Sequence, residues 1–429
     1  MSPGPELGCI ADDFTGATDL AGNLAQAGRR AVVTVGVPAS PVPDADAVVV
    51  ALKSRTAPRQ RAVGESLRAH RALAAMGCGR IWFKYCSTFD STSEGNIGPV
   101  TDALLEATGA AWTIACPAFP AGGRTVYQGH LFVHGRPLDE TGMRHHPLTP
   151  MTDSDLVRVL RPQTAYGVGL LPHQVLRAGH RAVLAHVARL TADGRVRTVV
   201  TDAVDEKDLA VVERATRHLP LVTGGSGLAL SLPGGVPGAR AVEAAPGPAA
   251  ILAGSVSEAT LAQTAHARRT LPARKLSAPD VLRSPADAAA AAVAWAAPHL
   301  AAGRTVVLHS ADDREDVRRA RERHGGAHGA AEQAVEETFA ACARGLAERG
   351  VRRFVVAGGE TSGAVVTALG VRTLRIGPAI APGVPWTCAS WRGRTVNLAL
   401  KSGNFGDPDL FTAAQRYLDH PATTAPIRR

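Results

Sequence analysis

The chain has 429 residues, and 47 Lys plus Arg against 38 Asp plus Glu leave a formal charge of +9 at neutral pH. With 45% hydrophobic and 20% charged residues it has the balance of a globular protein of two or three domains, which excludes a wholly disordered, collagenous or coiled-coil chain. Only five of the cations are Lys, no basic run occurs and aromatics stand at 4%, so the positive balance reads as a general skew to Arg, compatible with an anionic small substrate and against a nucleic-acid surface.

From the N-terminus, short β-branched runs alternate with Ala- and Leu-rich stretches of helical spacing, the pattern of an α/β protein with largely parallel sheets. The spacing predicts strands over 7–11, 31–37, 47–52, 81–85, 112–116, 198–201 and 221–223, with helices over 18–27, 61–76, 100–108, 183–192 and 207–217. At 232–249 the text LPGGVPGARAVEAAPGPA loses all periodicity and reads as a linker. The rhythm then restarts, with strands over 250–253, 305–309, 354–357, 374–376 and 396–400 and helices over 261–269, 287–297 and 332–349. The expected organisation is therefore two α/β domains, 1–231 and 250–419, joined by 232–249 and followed by a flexible tail, 420–429.

The N-terminus has no basic start leading into a long apolar run, and no later stretch reaches about 18 uninterrupted apolar residues. Six scattered cysteines make no CxxC pair, which speaks against a disulfide framework or a cysteine zinc site. The expectation is a soluble cytoplasmic protein that contacts neither membrane nor nucleic acid, with homo-oligomerisation left open.

Chemistry concentrates at predicted strand ends, where open α/β sheets place ligands. In ADDFTGATD a strand ends on Asp12 and Asp13 and a Thr-Gly turn opens a helix; adjacent carboxylates there suit hydroxyl binding, proton abstraction or Mg²⁺, while a single acid could be only a helix cap. In KYCSTFDSTSEGNIGP, Lys84 is followed by hydroxyls including Ser87 and Thr88, by Asp90, and by Gly95 and Gly98, which would let backbone approach a ligand. Such donor density suits a polyhydroxylated carboxylate, since each oxygen removed from water needs a partner. Lys53 and Arg55, just after another strand, would supply a carboxylate clamp or stand as solvated cations. QGHLFV and RHHPLTPM bring His130, His145 and His146, but neighbouring histidines lack the i, i+4 spacing of a helical zinc pair and no HExxH occurs, so substrate hydrogen bonding or loop packing is the better reading.

Beyond the linker, GSVS with Ser257, GGETSG with Gly358, Gly359, Glu360, Thr361 and Ser362, and KSGNFG with Gly403 are small-residue turns at strand ends. Together they suit backbone cradling of phosphates without a Walker sequence. No GxGxxG follows the first strand, which argues against a Rossmann oxidoreductase. A binding-only receptor for sugar acids would have no use for the second set of turns.

ADDFTGATD, KYCSTFDSTSEGNIGP, HHPLTPM, AGGETSGAVV and LALKSGNFG, occurring in that order over nearly the whole chain, resemble the four-carbon acid sugar kinase family. STFDSTSEGNIGP and HHPLTPM are most similar to its members acting on 3-oxo acids, with D-erythronate or D-threonate as alternative substrates. The resemblance implies an N-terminal acid-sugar domain, a C-terminal nucleotide domain with the active site in the cleft between them, ATP as donor, and phosphorylation of a C4 hydroxyl. It implies ATP contacts at Ser257, Gly358 or Gly359, Thr361, Ser362 and Gly403, and substrate-side positions at Asp12, Asp13, Lys53, Arg55, Lys84, Ser87, Thr88 and Asp90; GSVS here departs from the commoner GSCS spelling. From chemistry, Arg55 and Lys84 are expected to hold the carboxylate and 3-oxo group, Asp12 or Asp13 to act as base, Glu360 to orient Mg²⁺ through water, and Lys401 to neutralise phosphate charge.

Overall fold

The computed structural model describes residues 4–42, 44–146, 148–233, 242–313, 315–316 and 328–420. Much of the expected linker, at 234–241, the tail from 421, and Pro147 of HHPLTPM lie outside the described residues. The chain divides into two compact units, Met1–Gly238 and Ala239–Arg429.

In the first unit the strands are β1 (Leu7–Ala11), β2 (Ala31–Val35), β3 (Ala47–Ala51), β4 (Arg80–Lys84), β5 (Thr113–Cys116), β6 (Arg124–Tyr127), β7 (His130–Val133), β8 (Arg136–Pro137), β9 (Gly167–Leu171), β10 (Val196–Thr201) and β11 (Leu221–Gly224). Eight of them form one parallel sheet in the order β2-β3-β1-β4-β11-β5-β10-β9, and β6, β7 and β8 make a small antiparallel sheet. β1 and β3, LGCIA and AVVVA, are buried at every residue, the unbroken apolar run that helices on both faces of a parallel sheet require. Because β2 and β3 lie on one side of β1 and β4 on the other, the connections leaving β1 and β3 run in opposite directions, and the switch point falls between β1 and β4.

The second unit repeats the plan with β12 (Ala249–Ala253), β13 (Ala273–Lys275), β14 (Val306–His309), β15 (Arg353–Ala357), β16 (Thr373–Ala381), β17 (Val384–Trp391) and β18 (Arg394–Lys401). Their order is β13-β14-β12-β15-β18-β17-β16, parallel as far as β18 and antiparallel beyond it. The reversal here falls between β12 and β15. Ile251, Val307, Val355, Trp386, Phe411 and Leu418 share the core on one face of this sheet.

The elements missing from the sequence reading have visible causes. In β9, GVGLL, the two glycines dilute the β-branched signal; added Cβ atoms would lie 3.1 Å from the Arg195 carbonyl oxygen at Gly167 and 3.1 Å from Val196 at Gly169. β16 extends past the expected 374–376 through Gly377 and Pro378, where its register against β17 shifts. The unpredicted helix Leu410–Asp419 buries Leu410, Phe411, Ala414 and Leu418, a helical stripe sealed by Trp386 Nε1 donating to the Ala414 carbonyl at 2.8 Å.

Gly224 ends β11 with its Cα against β5: an added Cβ would lie 2.1 Å from the Cys116 carbonyl oxygen. Two neighbouring backbones cannot both yield, so Gly224→Ala is expected to destabilise the first unit by about 1–3 kcal/mol, read as a lowered urea midpoint with unchanged m.

Candidate active site

The switch point of the first unit gathers an acid cluster around one guanidinium. Ala11 ends β1, and the next amide, Asp12 N, donates to the Lys84 carbonyl of β4 at 3.0 Å, while Ser54 and Arg55 N donate to the Asp12 carbonyl at 3.0 and 3.2 Å. These links bring the turns after β1, β3 and β4 side by side. Arg55 Nε and Nη2 donate to Asp12 Oδ2 and Oδ1 at 2.8 and 2.7 Å, a bidentate pair. Nη2 also lies 2.8 Å from Asp13 Oδ1, and Nη1 lies 3.5 Å from Asp90 Oδ2. Asn96, inside STFDSTSEGNIGP, fixes the Arg55 turn by donating from Nδ2 to the carbonyls of Ser54, Arg55 and Ala57 at 3.0, 3.1 and 2.8 Å.

The two neighbouring aspartates are driven apart. Burial raises the Asp12 pKa, and the charge and hydrogen bonds of Arg55 only partly offset it. Burial acts on Asp13 too, but the charges of Arg55 and Lys84 and hydrogen bonds from Thr15 and Gly16 outweigh it, and its pKa falls. Asp13 is also the N-cap of the helix Phe14–Gln26, with Oδ1 accepting from Gly16 N at 2.9 Å and Oδ2 from Thr15 Oγ1 at 2.7 Å.

Lys84 is 2% exposed. Its Nζ donates to the Tyr85 carbonyl at 2.8 Å and lies 3.9 Å from Asp19 Oδ2. Ser87 and Thr88 are buried beside it, with Thr88 Oγ1 donating to Asp90 Oδ1 at 2.6 Å. Phe89 and Asp90 both have left-handed backbone, φ 65° and 37°, a conformation that costs side chains of this kind of order 1–3 kcal/mol each and clusters at ligand sites. Lys53 is exposed at the edge of this group. Two expectations are corrected by packing. Gly98 admits no ligand, because an added Cβ would lie 2.6 Å from Gln163, whose Oε1 accepts from Gly98 N and Ser91 Oγ; Gly95 faces Ser91 and Thr92 in the same way.

Asp19 and Arg124 join this cluster without having been singled out in the sequence. Asp19 is buried and Oδ1 has no hydrogen-bond partner among the described residues; burial raises its pKa against the pull of Lys84. Arg124 is buried, and burial lowers its pKa against the pull of the Asp19 and Asp90 carboxylates. Asp19 was legible, one turn beyond ADDFTG; Arg124 sits in β6 with no local motif. His146 serves its own loop, accepting from Thr149 N at 3.1 Å, and His130 Nδ1 meets Ser154 Oγ at 3.1 Å.

The second unit's switch point carries the three glycine turns. Gly254 and Ser255 N donate to the Ala357 carbonyl, and Gly358 N to the Lys401 carbonyl, so the turns after β12, β15 and β18 interlock. Gly254 has no room for a side chain, since an added Cβ would sit 2.2 Å from Thr361 Oγ1. Ser257 caps the helix Glu258–Ala267, whereas Gly358, at φ 123°, gives the helix Gly359–Ala368 no side-chain cap. That second helix therefore starts at Gly359 with no side-chain cap on its first turn, the kind of helix start that suits phosphate oxygens. Ser362 is fully buried with Oγ lacking a partner among the described residues.

Lys401 departs from its expected place on the phosphates. It is 0% exposed, and Nζ donates to the Gly403 carbonyl at 2.9 Å and to Thr260 Oγ1 at 3.0 Å. Burial pushes its pKa down to about 7.

Comparison with known proteins agrees with this division of chemistry. Residues 7–232 match the family model described as a sugar-binding N-terminal domain, and residues 250–411 one described as a nucleotide-binding C-terminal domain. The chain is 51% identical to a 3-oxo-tetronate kinase of Burkholderia multivorans over 97% of this chain and 98% of that one, and 50% identical to one of Cupriavidus necator over 96% and 97%. A solved structure from Salmonella typhimurium LT2, described as a putative tRNA synthase, superposes with TM-score 0.83 at 43% identity, covering 96% of this chain and 98% of that one.

Two outcomes follow from the buried charges. Arg55→Ala leaves the buried Asp12 carboxylate without its counter-charge and is expected to cost about 3 kcal/mol in urea unfolding. Lys401 titrates near 7 when folded and near the ordinary lysine value of 10.5 when unfolded, so between those limits the unfolded chain holds the extra proton and stability rises with pH, while below 7 the term is flat. The Tm of the wild type, measured relative to Lys401→Met, should therefore climb from about pH 7 to about pH 9.5; a constant difference would mean that Lys401 does not titrate in that window.

Proposed function

The chain belongs to the four-carbon acid sugar kinase family, and from that premise we propose that it transfers the γ-phosphoryl group of ATP to the C4 hydroxyl of a 3-oxo-tetronate, giving the 4-phosphate. The observation that carries the acceptor half is the pair Asp12 and Asp13, which share Arg55 yet have opposite pKa shifts. Such a split assigns acid–base roles. Asp12, with the raised proton affinity, takes the C4 hydroxyl proton, while Asp13 stays ionised as helix cap and as the second anchor of Arg55.

Arg55 is satisfied by carboxylates of the protein itself, so its part is to orient the acids. Lys84 and the Ser87 and Thr88 turn take the substrate's carboxylate and C3 oxygen, with Lys53 at the rim. Nothing covalent is asked of the protein in phosphoryl transfer beyond this positioning and charge stabilisation.

On the donor side the uncapped first turn of the helix Gly359–Ala368 and the turns at Ser257 and Gly403 receive the phosphates. Mg²⁺, when bound, supplies neutralisation of charge on the β- and γ-phosphates. No group of three or more His, Cys, Asp or Glu side chains able to hold a metal occurs among the described residues, which fits an ion carried largely by phosphates and water with one carboxylate nearby, and Glu360 is that carboxylate.

Coupled ADP release with Mg·ATP and a panel of 3-oxo-tetronates, D-erythronate and D-threonate tests the reading. Turnover confined to the 3-oxo acids is expected; turnover with the other two alone would keep the kinase and move the specificity, a difference at C3 that few contacts decide. Asp12→Asn is expected to lower kcat by about 10²–10⁴, and near-normal turnover in that variant would remove Asp12 as the base. Gly403→Val, whose Cβ would lie 2.5 Å from Ser255 Oγ and 2.8 Å from Ser257 Oγ, should raise the KM for ATP and leave that for the acid unchanged.

A further inference from the structure

Three donors converge on one carbonyl oxygen beneath the KSGNFG turn. Ser257 Oγ donates to Gly403 O at 2.6 Å, Thr260 Oγ1 at 2.9 Å and Lys401 Nζ at 2.9 Å. Lys401 Nζ also donates to Thr260 Oγ1 at 3.0 Å, so its two hydrogen bonds serve the same oxygen, one directly and one through the hydroxyl that donates to it. No carboxylate pairs with Lys401 among the described residues, and burying an amine without one is costly. A carbonyl is amply satisfied by two donors. What this arrangement yields is a fixed orientation of the peptide between Gly403 and Asn404.

That orientation has a definite consequence on the other side of the peptide. The bond is trans and planar, so the Asn404 N–H points opposite to the Gly403 carbonyl. The carbonyl is held down into the domain, and the N–H is held outward, on an exposed residue whose N–H finds no acceptor in the chain among the described residues. The turn lies at the carboxyl end of β18, and Gly358 N donates to the Lys401 carbonyl, which ties the first residue of this turn to the residue that precedes the uncapped helix Gly359–Ala368.

We propose that Lys401 and Thr260 are positioning residues of the nucleotide site, which by gripping the Gly403 carbonyl aim the Asn404 N–H at a phosphate oxygen of the bound nucleotide. The proposal rests on the nucleotide reading of the second unit. Lys401 then acts from below the turn and never touches phosphate. At Gly403 an added Cβ would lie 2.5 Å from Ser255 Oγ and 2.8 Å from Ser257 Oγ, so the turn leaves no room for a side chain.

The test measures dissociation constants for Mg·ATP and Mg·ADP by calorimetry on the full-length protein, together with the KM for the acid acceptor. Thr260→Val, which keeps shape and removes the hydroxyl, and Lys401→Met should each weaken ATP by about 5- to 20-fold, the loss of one or two hydrogen bonds. The KM for the acid should change by less than about two-fold, and Thr260→Ser should restore wild-type binding. Asn404→Pro, which removes the amide proton and also fixes φ, should weaken ATP at least as much, whereas Asn404→Ala, which keeps the N–H, should bind normally. Wild-type affinity in Thr260→Val, or equal affinities in Asn404→Pro and Asn404→Ala, overturns the proposal. Failure of the wild type to bind either nucleotide overturns the nucleotide reading itself and this proposal with it, and is distinguishable because it precedes any substitution.

Discussion

Most parallel strands in this protein end one residue before their hydrogen bonding does. The first amide past β1 bonds to the last carbonyl of β4, those past β12 bond to β15, that past β15 bonds to β18, and that past β4 bonds to Gly224 of β11. A backbone amide taken from water needs an acceptor, and a neighbouring strand that ends in register is the nearest one. The turns at the carboxyl ends are therefore stitched to one another before any side chain is considered. Both candidate sites inherit their rigidity from this: the acids at Asp12 and Asp13 cannot move without β4, nor the Gly358 turn without β18.

On that common frame the two units solve opposite problems of buried charge. In the first, Arg55 is surrounded by Asp12, Asp13 and Asp90, and the carboxylates outnumber it. In the second, Lys401 is buried and, among the described residues, hydrogen-bonds to a hydroxyl and a carbonyl oxygen only. The first arrangement tunes proton affinity, as the base proposed at Asp12 requires. The second tunes geometry, as the phosphate-binding surface proposed there requires.

The sequence carried much of this. β1, β3, β12 and β15 were legible because a strand buried on both faces is an uninterrupted apolar run, and the acid pair and glycine turns because they follow such runs directly. Strands with internal Gly or Pro, β9 and β16, lost their signal, since their packing depends on a missing side chain that only the neighbouring strand explains. The role of Arg55 was hidden for a different reason: an Arg after a strand looks the same whether it meets a substrate carboxylate or the protein's own, and the choice rests on Asp12, 43 positions away in sequence. Arg124 and Asn96 were likewise fixed by tertiary contact.

The scarcity of lysine has a chemical corollary. Of the five in the chain, Lys84 and Lys401 are shut away at 2% and 0% exposure, while Lys53, Lys207 and Lys275 face solvent. An amine-reactive reagent applied to the folded protein thus meets a sparse, sorted set of targets, and Lys53, two residues from Arg55, is the one at the rim of the acid cluster. Acylation then has three solvent-facing side chains to choose among, and of their labels the one at Lys53 is the reporter two residues from Arg55.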